Sequence, residues 1–171
     1  MNDGEWEARV AAVWERAPSM AGEDLIRAID ALVDERALAD GLASFERASA
    51  RDTAGEEAEA ERYYRAALAT PDLDPYRRSR AVIQLASTLR ILGRLDESEA
   101  LLLAELDRHL VAGNERALHD EARATLALTY VAQGRTTEAA GLALCTLAPR
   151  LSRYNRSIFG NAAILVGKTW A

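Results

Sequence analysis

A chain of 171 residues is long enough to bury roughly two-thirds of its unfolded surface as a single globular domain, and somewhat less as an elongated helical stack. Aromatic residues make up only 6% and the formal net charge is -6; residues 1–70 hold 8 basic and 16 acidic side chains (-8), and the remainder 13 and 11 (+2). Neither part concentrates the positive charge that phosphate binding needs, so nucleic acid is not an expected partner. No apolar run reaches the roughly 18 residues that cross a bilayer. The first residues, MNDGEWEARV, are acidic where a secretory leader is basic, which gives a cytoplasmic expectation with no membrane partner.

Apolar spacing is helical along the whole chain. Trp6, Val10, Val13 and Trp14 share a face and predict a helix over 4–16, ended by Pro18. Leu25, Ile26, Ile29, Leu32 and Val33 predict a second over 22–37, and Leu42, Phe45 and Ala48 a third over 39–53. Gly55 stops that helix, and Glu56, Glu57 and Glu59 open the next, where acids suit the positive end of the helix dipole. It carries Ala60, Tyr63, Tyr64, Ala67 and Leu68 up to the break TPDLDP at 70–75. Val82, Leu85, Ala86 and Leu89 lead to Gly93; Leu95 to Leu110 follow, then a break at Ala112-Gly113-Asn114. Leu118 to Val131 precede Gly134, Glu138 to Leu147 come next, and a last helix after Pro149 carries Tyr154, Ile158, Phe159, Ala162, Leu165 and Val166. Nothing reads as a strand.

One unit recurs. LGRLDESEALL at 92–102 is echoed by QGRTTEAAGLA at 133–143. Gly55, Gly93 and Gly134 are each followed five residues later by a small side chain, Ala60, Ser98 and Ala139, and four beyond those stand Tyr64, Leu102 and Ala143. Leu85-Ala86 with Leu89, and Leu126-Ala127 with Tyr130, precede their glycines at matching distances. This is a helix, a tight turn and an antiparallel helix whose small residue lets the backbones close up.

The spacing resembles the tetratricopeptide repeat over about residues 39–160. The segments ASFERASARDTAGEEAEAERYYRAAL and RAVIQLASTLRILGR are similar to small bacterial stand-alone members of that family, whose function is unknown. The resemblance implies an all-α, right-handed stack of about three helical hairpins over 39–148. A helix pair precedes it over 1–37 and a capping helix follows over 150–171, within one domain spanning 1–171. The glycines lie 38 and 41 residues apart against a usual 34, Arg47 stands where the first unit calls for leucine, and Ala143 stands where an aromatic is expected.

Chemistry is poorly represented. Cys145 lies among apolar neighbours and reads as a small core residue, and His109 and His119 lie in no metal-binding pattern, so neither a metal nor a cofactor is expected. The GKT at 167–169 lacks the glycine a phosphate loop needs at Ala162. The pairs Glu56-Glu57, Asp96-Glu97 and Asp120-Glu121 fall at helix starts, where acids serve the dipole. The chain does not read as an enzyme.

The resemblance implies a concave groove that holds a partner protein or peptide. Its candidate lining is Phe45, Ser49, Asp52, Arg80, Ile83, Gln84, Ser87 and Arg90. Arg80 and Arg90, with an amide and a hydroxyl between them, suit an acidic partner; the alternative is a solvated face whose arginines are engaged by internal acids such as Asp52. The chaperone-tail clamp of some family members uses Lys and Asn at positions that read otherwise here, so that tail is not the expected partner. A rival reading, an arginine-lined binder of nucleic acid or another anion, requires a continuous positive patch from Arg77, Arg78, Arg80 and Arg90. A third is an enzyme accessory subunit. Ala124, Leu128 and Val131 make the corresponding face of the third unit apolar. Leu128, Val131, Ile158, Phe159 and Val166 are therefore candidates for a homodimer interface, with a last helix folded over the third unit as the alternative.

Overall fold

The computed structural model describes residues 3–37, 40–112 and 118–167, with the backbone alone for 109–112. Among these residues there are nine α-helices and no strand: α1 (Asp3–Arg16), α2 (Gly22–Val33), α3 (Gly41–Ala54), α4 (Glu57–Ala69), α5 (Pro75–Ile91), α6 (Leu95–Ala112), α7 (His119–Ala132), α8 (Thr136–Leu147) and α9 (Asn155–Val166). Each helix expected from the apolar spacing is present. α2 ends at Val33 and not near residue 37, because the backbone tightens: the amides of Glu35 and Arg36 bond three residues back, to Leu32 and Val33. Pro75, expected within a loop, instead opens α5. A missing N–H costs nothing in the first helical turn, and the Asp74 carboxylate accepts from the Arg77 amide at 2.9 Å. The expected break at Gly113-Asn114 and Lys168-Thr169 of the GKT lie outside the described residues, as does the side chain of His109.

The three repeated glycines close three turns of one design. Gly55, Gly93 and Gly134 have φ of 79°, 78° and 79°, in the left-handed region that glycine enters without strain. The following amides, of Glu56, Arg94 and Arg135, reach back to the carbonyls of Arg51, Leu89 and Tyr130 at 2.9, 2.8 and 2.8 Å. These are the six-to-one bonds of a glycine-terminated helix. Five residues beyond each glycine, Ala60, Ser98 and Ala139 are all buried, so the small side chain sits where a larger one would collide.

The backbone divides into two compact units within α5, residues 1–88 and 89–171. In the first, α1 packs on α2, α2 on α3 and α3 on α4. Trp6, Val10 and Val13 meet Leu25, Ile29, Leu32 and Val33, and the Trp6 indole donates to the Leu32 carbonyl at 2.8 Å. Burying each of these large side chains contributes roughly 1.5–3 kcal/mol. In the second unit α6 through α9 pack in sequence. Leu102, Leu126, Leu142 and Cys145 are fully buried, and the Ser98 and Thr129 hydroxyls pair at 3.0 Å between α6 and α7. Helix α9 lies on α8 where Gly141 leaves room: a Cβ there would meet Val166 Cγ2 at 2.7 Å and the Ala162 carbonyl at 2.8 Å.

Candidate partner-binding face

Ten, six and three residues before the repeated glycines stand Phe45, Ser49 and Asp52 on α3; Ile83, Ser87 and Arg90 on α5; and Ala124, Leu128 and Val131 on α7. One register thus carries three chemistries. Its exposure differs as much. Phe45 is 0%, Ser49 8% and Ile83 7% exposed, whereas Leu128 is 54% and Val131 53%.

In the first unit, α5 meets α3 at Phe45 and at Asp52. The Arg80 guanidinium sits over the Phe45 ring, 5.0 Å from its centroid. Phe45 also meets Tyr64 of α4, ring centroids 6.3 Å apart, and so forms a fixed floor under the exposed arginine. Arg80 makes no ion pair with any described residue. Two turns along, Asp52 accepts from Thr88 Oγ1 at 3.1 Å and from the Tyr64 hydroxyl and Gln84 Nε2 at 3.3 Å. Asp52 is therefore held by neutral donors and not by Arg80. Burial raises its pKa, partly offset by the bonds from Thr88 and Tyr64. Burial likewise lifts the Tyr64 hydroxyl well above its ordinary value, and the neighbouring Asp52 charge adds to it.

A more deeply buried carboxylate lies beside this face. Glu46, 7% exposed, accepts from the Trp14 indole at 2.7 Å. Burial raises its pKa against the opposing Trp14 bond and the charges of Arg80 and Arg77. Across from it, Glu7 of α1 pairs with Arg77 of α5 at 3.2 Å, and Asp74 takes the same arginine at 2.9 Å. Arg78 donates to the Leu68 carbonyl at 3.1 Å. Of the arginines at the start of α5, Arg80 alone makes no hydrogen bond or ion pair with an oxygen of the described residues, although its charge reaches the Glu46 carboxylate. Ser87 and Arg90 are half-buried, and Arg90 lies past the division within α5.

Arg47, the departure from the leucine pattern, has a clear place. It and Arg51 stand where α5 carries Leu85 and Leu89 and α7 carries Leu126 and Tyr130. Both turn to Asp30 of α2: Arg47 Nε at 3.0 Å, and Arg51 through Nη1 at 3.0 Å and Nη2 at 2.8 Å. Burial opposes ionisation of Asp30, but the bonds and charges of the two arginines outweigh it and hold its pKa below the ordinary value. Tyr63 lies under Arg51 at 4.8 Å and Arg62 at 5.3 Å. The apolar position has become an ionic clamp between helices.

In the second unit, Leu128 and Val131 stay exposed on α7, because α9 covers α8 and does not reach that face. Ile158 and Phe159 are half-buried, and Val166 is 5% exposed, taken up against Gly141. Val166 is thus part of the fold's own packing. Ala143 is exposed, and Leu142 and Cys145 fill the α8 core in its place. Burial raises the Cys145 pKa, and its sulfur faces the Phe159 carbonyl at 3.9 Å. Among the described residues no three His, Cys, Asp or Glu side chains group to hold a metal ion, and no helix is long and apolar enough to cross a membrane.

Among the described residues, the antiparallel helices, the three turns of one design and the small residue at a fixed distance beyond each turn are the parts of a hairpin repeat. A family model described as Tetratrico peptide repeat matches residues 35–165. The chain belongs to the tetratricopeptide repeat family. No curated protein and no solved structure matches it. Membership in this family suggests a protein-interaction scaffold of a typically non-catalytic kind.

Proposed function

We propose that the chain, read as one tetratricopeptide repeat domain, acts in the cytoplasm as a non-catalytic scaffold that binds an acidic protein or peptide against the α3–α5 face. Arg80 carries this reading. It is an exposed guanidinium stacked on a buried ring, with no ion pair to any described residue. The ring holds the planar group in place, so less freedom is lost when a carboxylate docks on it. The rival anion-binding reading needs a continuous positive patch. Arg77 is already matched by Glu7 and Asp74, and Arg78 is turned to a carbonyl, which favours a partner recognised at one or two carboxylates over a polyphosphate.

Affinity capture from the native host, analysed by mass spectrometry, tests the proposal when wild type and Arg80→Glu are run side by side. A protein retained by wild type and lost from the variant is the expected result. Equal capture by both would move the binding face away from α5.

A second surface supports self-association. Leu128 and Val131 each expose about half of their area on one helix face. A symmetric pair of chains would present this stripe to its twin.

A further inference from the structure

We infer that the α3–α5 face reads two features of its partner one helical turn apart: an acidic side chain at Arg80 and an N–H group at the side-chain oxygen of Gln84, whose direction Asp52 fixes. The inference rests on the peptide-binding reading above and specifies its partner.

The first half follows from a row on α5. Arg77 already holds a carboxylate brought by another helix, that of Glu7 at 3.2 Å. Arg80, three residues on, points from the same side of the helix and has its guanidinium over Phe45. The internal pair displays the chemistry the row accepts. Arg80 is the next place in the row, and it is exposed to solvent.

Gln84 supplies the second half. Its Nε2 donates to Asp52 Oδ2 at 3.3 Å, on a carboxylate that also accepts from Tyr64 and Thr88. An ionised carboxylate only accepts hydrogen bonds, so the amide must turn its NH2 group toward Asp52 and its oxygen away. That oxygen makes no hydrogen bond with any described residue, and Gln84 is half-buried. It is an acceptor with a fixed direction. Side chains four apart on a helix stand roughly 5–6 Å from one another, the rise of about two residues of extended chain. A helical partner spends its main-chain N–H groups internally, except in its first turn. The occupant that fits is an extended segment with Asp or Glu at one position and a free main-chain N–H about two residues along. Asp52 is then a positioning residue, acting through Gln84.

A random peptide library displayed on phage, selected against wild type and Arg80→Gln, tests the first half. Enrichment of Asp or Glu at one register on wild type, lost on Arg80→Gln, is the expected result. Enriched peptides without an acid, or with the acid retained on the variant, would overturn the inference and leave peptide binding standing. No enrichment on wild type would remove both.

For the second half, the best selected peptide is made with each amide in turn N-methylated. One position should weaken binding to wild type by about tenfold, the loss expected when a half-buried acceptor that the partner shields from water is left unmet. Gln84→Leu and Asp52→Asn should both bind the parent and methylated peptides nearly equally. Asparagine offers Gln84 a donor as well as an acceptor and no longer holds the amide one way round. Melting temperatures show which variants are folded, and Gln84→Leu decides the matter if Asp52→Asn is not. A methylation penalty that persists in the folded variants would overturn the role of Gln84 and Asp52.

Discussion

The first and third hairpins share a turn and a small buried residue, yet their equivalent faces are opposites. On α3 the register holds Phe45, Ser49 and Asp52, closed over and bonded to α4 and α5; on α7 it holds Ala124, Leu128 and Val131, with the last two more than half exposed. The neighbouring register differs in the same way. α7 buries Leu126 and Tyr130, whereas α3 clamps Arg47 and Arg51 on Asp30. The repeat therefore specifies the hairpin and leaves the chemistry of its sides open. A glycine and a small residue are enough to bring two helices together, and each side then adapts to what lies against it.

The largest expected effects separate the two kinds of side. Leu126→Ala, at a site with no exposed area, should cost about 2–5 kcal/mol through lost burial and the cavity left behind. Asp30→Ala should cost about 2 kcal/mol, less than a fully buried pair because its side chain is 28% exposed, since it strands two guanidiniums. Replacing Asp30, Arg47 and Arg51 together by leucine should recover most of that loss. Urea titrations of the variants check both. If the triple variant is no more stable than Asp30→Ala, the clamp does more than take the place of an apolar contact.

Ala139→Phe should destabilise by about 1–3 kcal/mol, because the residue is buried where α8 begins, against the helix before the turn. An unchanged melting temperature would contradict the shared hairpin register.

The turns were legible because glycine at a fixed spacing has one physical meaning, and the helices because apolar spacing has one period. The pairings between distant elements were not. Arg47 was visible as a departure from leucine, but its partner Asp30 lies 17 residues away on another helix, and no local pattern joins them. Trp14 on Glu46 and Glu7 on Arg77 are hidden for the same reason. Val166 reads as one more apolar residue on the last helix. What draws it inward is Gly141, a small residue inside an apolar stretch, which admits close approach of a neighbouring helix. At the candidate face, Arg80 and Gln84 were readable as polar positions on one side of α5, whereas the floor of Phe45 and the hold of Asp52 on Gln84 depend on how α3 lies beside it.

Titration sharpens the comparison further. The Asp30 pKa is lowered by folding, so its contribution is present above the ordinary aspartate value of about 3.9 and is lost as pH falls through the lower folded value. Glu46 shifts the other way. Its folded pKa is raised, so ionisation costs stability at neutral pH, and that cost fades as pH falls toward about 4.3. Glu46→Gln, which keeps an acceptor for Trp14, should be more stable than wild type at pH 7 by less than about 1 kcal/mol, with the difference closing near pH 4. Chemical denaturation across that range measures it, and a difference that widens on acidification would reverse the assignment.

The smallest expected change in stability is that of Leu128→Asp, within about 0.5 kcal/mol because the site is exposed. Its effect belongs to association. Sedimentation equilibrium should show wild type self-associating and Leu128→Asp monomeric, both fully helical; a wild type that is monomeric at tens of micromolar ends the self-association proposal.

On the function proposed above, partner chemistry resides on the α3–α5 face and not on the apolar face of α7. Nuclear magnetic resonance mapping of wild type with an acidic peptide taken from the library selection tests it most directly. We expect the Arg80 side-chain Nε–H and the Gln84 side-chain amide to shift on titration, while the methyl groups of Leu128 and Val131 stay in place. Shifts confined to Leu128 and Val131, with Arg80 and Gln84 unmoved, would contradict the account.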